Sequence, residues 1–158
     1  MSRELERRID EIVRVGVISE VQHKAGLCRV SFGERVSPLS PWLMGRAGKD
    51  KDYLHPGIGE QAVFVSPYGD GSEGIVLVGI LSDKMPLPEF AQEDLYIKVY
   101  EDGTRFMVDR KNHVVDFRDS YGSYLRFVDG DIVLKSARHI HLNSREAHIP
   151  GHLNYVLD

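Results

Sequence analysis

From Asp94 to Asn143 the chain runs as short strand-forming segments with no helix to cover them. The segments begin near Leu95, Arg105, Val114, Tyr124, Ile132 and His139. Between them stand turn formers: Glu101-Asp102-Gly103-Thr104, Lys111-Asn112-His113, Ser120-Tyr121-Gly122-Ser123 and Asp129-Gly130. The spacing starts at about ten residues and shortens toward the end, as in an internal repeat of β units. Several segments put apolar groups on one face, such as Leu95, Ile97 and Val99, or Val115 and Phe117. A lone meander of this kind leaves that face in water and is marginal. Two arrangements relieve it. The meander folds back on the rest of the chain, or three copies wind into a prism with apolar faces inward, which also pairs the open sheet edges.

The last segment carries His139-Ile140-His141. On a strand, residues two apart share a face, about 7 Å apart. Two imidazoles suit a metal but do not fill a coordination sphere. The remaining ligands come from His148 and His152 in the tail, or from the same pair in neighbouring copies. Three copies supply six nitrogens around a threefold axis. That octahedral set favours iron(II), with nickel or cobalt as substitutes, over tetrahedral zinc. With every position filled by protein, such a site is structural and weakens as the histidines protonate below about pH 6.5. The plainer reading is a surface histidine pair. Strict alternation through Val133, Lys135, Ala137, His139 and His141 also turns Lys135 toward any axis the histidines face, unless a bulge intervenes. His23, His55 and His113 fall in turns and read as surface residues.

The N-terminal part has another rhythm. Leu5, Ile9, Ile12 and Val13 recur at helical spacing, with Ser2 as cap and Glu4 and Glu6 at the positive end of the dipole. Strands follow at Val13–Ile18, Leu27–Phe32, Gln61–Val65 and Gly74–Leu81, with Trp42 in the long intervening loop. Four or five short strands in about 70 residues predict a small closed barrel of OB type. Lys84-Met85-Pro86-Leu87-Pro88 reads as a linker. The expected division is residues 1–14 helix, 15–88 OB-fold collar, 89–142 shaft and 143–158 tip or tail.

Net charge is −4, and neither part is basic: 11 basic against 13 acidic residues in 1–90, and 9 against 11 in 91–158. An OB-type nucleic-acid binder needs a basic groove with stacking aromatics. Tyr53, Phe64 and Tyr68 are the candidate aromatics, without the matching cations. Cys28, the single cysteine, lies in a strand and reads as a buried, inert thiol. No phosphate-cradling loop, nucleophile elbow or His-Glu-x-x-His motif is present, so the chain reads as a non-enzyme. The charged N-terminus does not suit a signal peptide, and no apolar run reaches membrane-spanning length, so synthesis and folding are expected in the cytoplasm.

Several pieces occur in one order: the N-terminal helix, Gly16-Val17-Ile18, Trp42-Leu43, Pro56-Gly57-Ile58-Gly59-Glu60-Gln61, Pro67-Tyr68-Gly69-Asp70 and the Gly74–Leu81 strand. Together they resemble baseplate assembly protein V, the central tail spike of contractile-tailed phages and R-type pyocins. The resemblance implies an all-β fold with a short N-terminal helix, an OB-fold collar and an intertwined, trimeric, triple-stranded β-helix. It implies a homotrimer in the virion tail baseplate, held to tail hub proteins and assembled in the host cytoplasm. Sheath contraction would drive that spike through the host outer membrane, with no nucleic acid or small-molecule substrate involved. It also implies one Fe2+ per trimer, held by His139 and His141 of each chain. Seventeen residues, Leu142 to Asp158, follow His141 and depart from a very short apical cap. The alternatives are an OB-fold nucleic-acid binder and a monomeric metalloenzyme using His139, His141, His148 and His152.

Overall fold

A computed structural model describes residues Ser2 to His141. The 143–158 segment, with His148 and His152, lies outside the described residues. The chain divides into two compact units, Met1–Glu89 and Phe90–Asp158.

The first unit begins with α1 (Arg3–Ile12), capped by Ser2, whose Oγ accepts the Leu5 N–H at 3.3 Å. The helix stops where the β-branched run Val13, Val15, Val17 takes over, and Val13 is already extended. Six strands follow: β1 (Val13–Gln22), β2 (Leu27–Phe32), β3 (Arg35–Val36), β4 (Ser40–Pro41), β5 (Gln61–Val65) and β6 (Ile75–Ile80). Their order is β3-β2-β1-β5-β6, with β4 also on β2. Beyond β4, Trp42 bridges in parallel to Val76 of β6, and the Leu43 N–H donates to the Val76 carbonyl at 2.8 Å. That bridge joins the two ends of the sheet and makes it the small closed barrel expected. β1 runs four residues past its predicted end, with a register shift between Ile18 and Glu20 that bends the strand around the barrel. β3 and β4 are two residues each, too short for a periodic signal. Alternation sends Ile18, Cys28, Val30, Ala62, Phe64 and Val76 inward with Trp42, and these form the core. The indole Nε1 donates to the Leu54 carbonyl at 3.1 Å, so its one polar atom is satisfied.

The described part of the second unit is a five-stranded antiparallel meander: β7 (Leu95–Val99), β8 (Arg105–Asp109), β9 (Val114–Arg118), β10 (Tyr124–Val128) and β11 (Asp131–Lys135). Each strand pairs only with its neighbours in sequence. His113 and Asp129 take left-handed backbone in the turns, beside Gly103, Gly122 and Gly130. Among the described residues the sixth expected strand does not form. After Lys135 the chain bends at Ala137 and Arg138, and His139 to His141 are irregular. Ser136 makes the bend: its Oγ accepts the Arg138 N–H at 3.1 Å and donates to the His139 carbonyl at 3.0 Å. No helix among the described residues is long and apolar enough to cross a membrane.

Candidate functional site

The register of the meander sorts its side chains into two faces. One face carries Tyr96, Phe106, Val108, Val115, Phe117, Leu125, Phe127, Ile132 and Leu134, and its only charge is Lys98. Phe106, Phe117, Leu125, Phe127, Ile132 and Leu134 are all exposed, Ile132 at 69%. A contiguous apolar face of this kind marks an interaction surface. Leu95, Ile97 and Val99 lie on the opposite face from Val115 and Phe117. That second face is apolar along β7, carries Asp131 and Lys135 along β11, and has a charged centre where Asp116 is fully buried among Arg105, Arg118 and Arg126.

The sequence reading missed this cluster. Its signal was an aspartate inside an apolar strand, Val114-Val115-Asp116-Phe117, with arginines at the start of β8, the end of β9 and the middle of β10.

His139 and His141 are both exposed, with ring centroids 6.2 Å apart and planes at 73°. Neither ring has a hydrogen-bond partner among the described residues. Metal–nitrogen bonds of about 2.1 Å place adjacent ligand rings about 4.5 Å apart, so this pair must close to share one ion. Among the described residues no group of three metal-ligating side chains exists. The pair therefore fits a metal only with ligands from elsewhere. The bend at Ser136 also ends the alternation that tied Lys135 to the histidines.

In the first unit, the residues that carried the resemblance have local work. Glu60 accepts the Gly57 N–H and the Gly79 N–H, each at 2.8 Å, tying the turn before β5 to β6. Gly69, at φ 64°, lies under the helix: a Cβ there would stand 2.5 Å from the Arg8 carbonyl oxygen. Glu11 is buried between Arg14 and Arg35, at 3.0 and 2.8 Å, and Arg35 holds its carboxyl below the usual range. The polar side of α1 thus meets the barrel. Leu5 and Ile9 remain about half exposed, as do Val13, Val15 and Val17 on the outer side of β1.

Phe64 is 1% exposed in the core and has no face for a base. Burial pushes the Cys28 thiol up to about 11, which fits the inert thiol expected. His23, His55 and His113 are exposed. The His23 and His55 rings meet edge to face at 4.6 Å, and the Tyr53 hydroxyl lies 3.2 Å from His23 Nδ1.

Residues 14–81, the whole ring from β1 to β6, match the family described as the type VI secretion system/phage-baseplate injector OB domain. The barrel is similar to that domain over almost its whole length. The matched stretch includes the closing Trp42–Val76 bridge and the Glu60 tie. A protein of Escherichia phage P2 named Spike protein is 34% identical over 101 residues, covering 64% of this chain and 47% of the phage protein. The matched region thus spans about half the length of that relative.

Proposed function

We propose that this chain is a structural spike component of a contractile phage tail or related injection particle. The observation that carries the reading is the exposed apolar face of a single-layer meander, joined in one chain to an injector OB domain. Three copies that cover this face against one another give an intertwined β-helical shaft and remove the open edges of β7 and β11. The role is mechanical, in keeping with the likeness to a spike protein. Interlocked strands make the shaft stiff, and a narrow shaft concentrates the force of sheath contraction on a small area of host outer membrane. The half-exposed ridge of Leu5, Ile9, Val13 and Val15 supports attachment of the OB collar to hub proteins of the baseplate.

His139 and His141 would hold a metal ion shared by three chains, six imidazoles in all, with Fe2+ the best match to an octahedral nitrogen set. The ion would supply a structural cross-link. The absence of ring hydrogen bonds among the described residues supports this role, and the bend at Ser136 carries both histidines off the regular sheet.

Light scattering on the untagged protein, with elemental analysis scaled to chain concentration, tests both parts. A trimer with one iron per three chains is expected. A monomer would overturn the shaft, and one zinc per monomer would replace it with a single-chain metal site.

A further inference from the structure

Asp116 sits at the middle of β9 with no exposed surface. Three guanidiniums converge on it from β8, β9 and β10. Arg105 Nη2 is 3.3 Å from Oδ2, Arg118 Nε is 3.5 Å from Oδ2 and Arg126 Nε is 3.2 Å from Oδ1. One carboxylate against three guanidiniums leaves two positive charges in excess. Arginine cannot shed its proton to relieve that excess. The donors are also in excess. Arg105 Nε and Arg118 Nε are buried and have no hydrogen-bond partner among the described residues. The 3.5 Å approach of Arg118 Nε gives Coulomb attraction without hydrogen-bond alignment. The Tyr124 ring, 5.0 Å from both Arg118 and Arg126, soothes the crowding but carries no charge. Lys135, opposite Tyr124 in register, adds a further cation.

Buried donors and unbalanced charge are costly unless something pairs with them. The three arginine side chains are each about 30% exposed, so their outer edges meet solvent. They also lie on the face opposite Phe117, so the site does not compete with the apolar face for its cover. We infer that Arg105, Arg118 and Arg126 form a binding site for a phosphate-class oxyanion, with Asp116 holding the guanidinium forks in place. A phosphate monoester carries about two negative charges at neutral pH, which matches the excess. Planar forks suit its oxygens bidentately. The source is either free phosphate or a phosphorylated lipid headgroup. The inference stands on one chain's side chains and does not rest on the trimer.

The test is calorimetric titration of the full chain with inorganic phosphate, against chloride at equal ionic strength to remove screening effects. Saturable binding is expected, at least tenfold weaker in Arg118→Gln and unchanged in Arg110→Gln, whose guanidinium lies 3.8 Å from Asp94 at the far turn. Should Arg118→Gln fail to fold, Arg118→Lys keeps the charge and loses the fork, and several-fold weaker binding is expected. Absence of saturable binding to the wild type, or equal binding by the Arg118 variant, overturns the site. Phosphatidylcholine vesicles with and without phosphatidic acid then separate the sources. Capture by phosphatidic acid that Arg118→Gln or Arg118→Lys weakens assigns the headgroup, and phosphate binding without capture assigns the free ion. Capture that the Arg118 variant leaves unchanged overturns the inference.

Discussion

Replacing Phe117 by alanine should weaken the proposed trimer. Phe117 is 53% exposed in the single chain and lies in register between Phe106 and Leu125. A phenylalanine side chain carries about 200 Å2, so roughly 100 Å2 remains to be covered by association. At about 25 cal/mol per Å2 that burial contributes about 2.5 kcal/mol per chain, of which alanine keeps a small part. A loss of about 2 kcal/mol per chain is about 6 kcal/mol per trimer, or about ten-thousand-fold in the association constant. Because that constant scales as concentration squared, the dissociation midpoint should rise about a hundred-fold. Sedimentation velocity over a concentration series reads this directly, in a fixed urea concentration where the wild type is half dissociated. Tyr121→Ala, in an exposed turn, should leave the midpoint in place. A Phe117→Ala midpoint within threefold of the wild type would refute the assignment of this face to the trimer interface.

Other perturbations address the remaining parts. His141→Ala should abolish iron binding by elemental analysis while light scattering still gives a trimer, since the apolar face provides most of the burial. Gly69→Ala should lower the stability of the first unit by about 2 kcal/mol in denaturant titration, from left-handed strain and the clash with Arg8. Glu11 has its folded pKa lowered, chiefly by the hydrogen bond from Arg35, so its contribution is complete above the unfolded value near 4.5 and lost as pH falls through the lower folded value. The melting-temperature gap between wild type and Glu11→Gln should therefore be widest near pH 6 and shrink toward pH 3.

The barrel was legible because its strands carry their own signals. Leu27–Phe32 and Gln61–Val65 are apolar runs bounded by turn formers, and the structure gives them those same bounds. Ser2 announced the helix start, and its hydroxyl does accept the Leu5 amide. What escaped depended on the register between strands or on a local side-chain hydrogen bond. The parity of a strand can be read from its alternation, but which strands share a face depends on register. Leu95 and Phe117 therefore separated onto opposite faces. The strand expected at His139 was lost to Ser136, whose hydroxyl satisfies local backbone groups instead of leaving them to a ladder. The charge cluster at Asp116 needs three adjacent strands in register before it exists at all.

The two units differ in how far apart along the chain their paired strands lie, and this sets how each folds. In the barrel, β1 pairs with β5, so closure waits for residues nearly fifty positions apart to meet. In the meander every pairing is a hairpin between successive strands. Local pairings form on the microsecond scale, whereas distant ones carry the cost of closing a long loop. The meander can therefore zip early into a ribbon whose bare apolar side then searches for like ribbons. In the proposed trimer its completion becomes a concentration-dependent step, while the barrel's stays unimolecular. Crowded synthesis of many copies favours assembly, and dilution strands the ribbon half made.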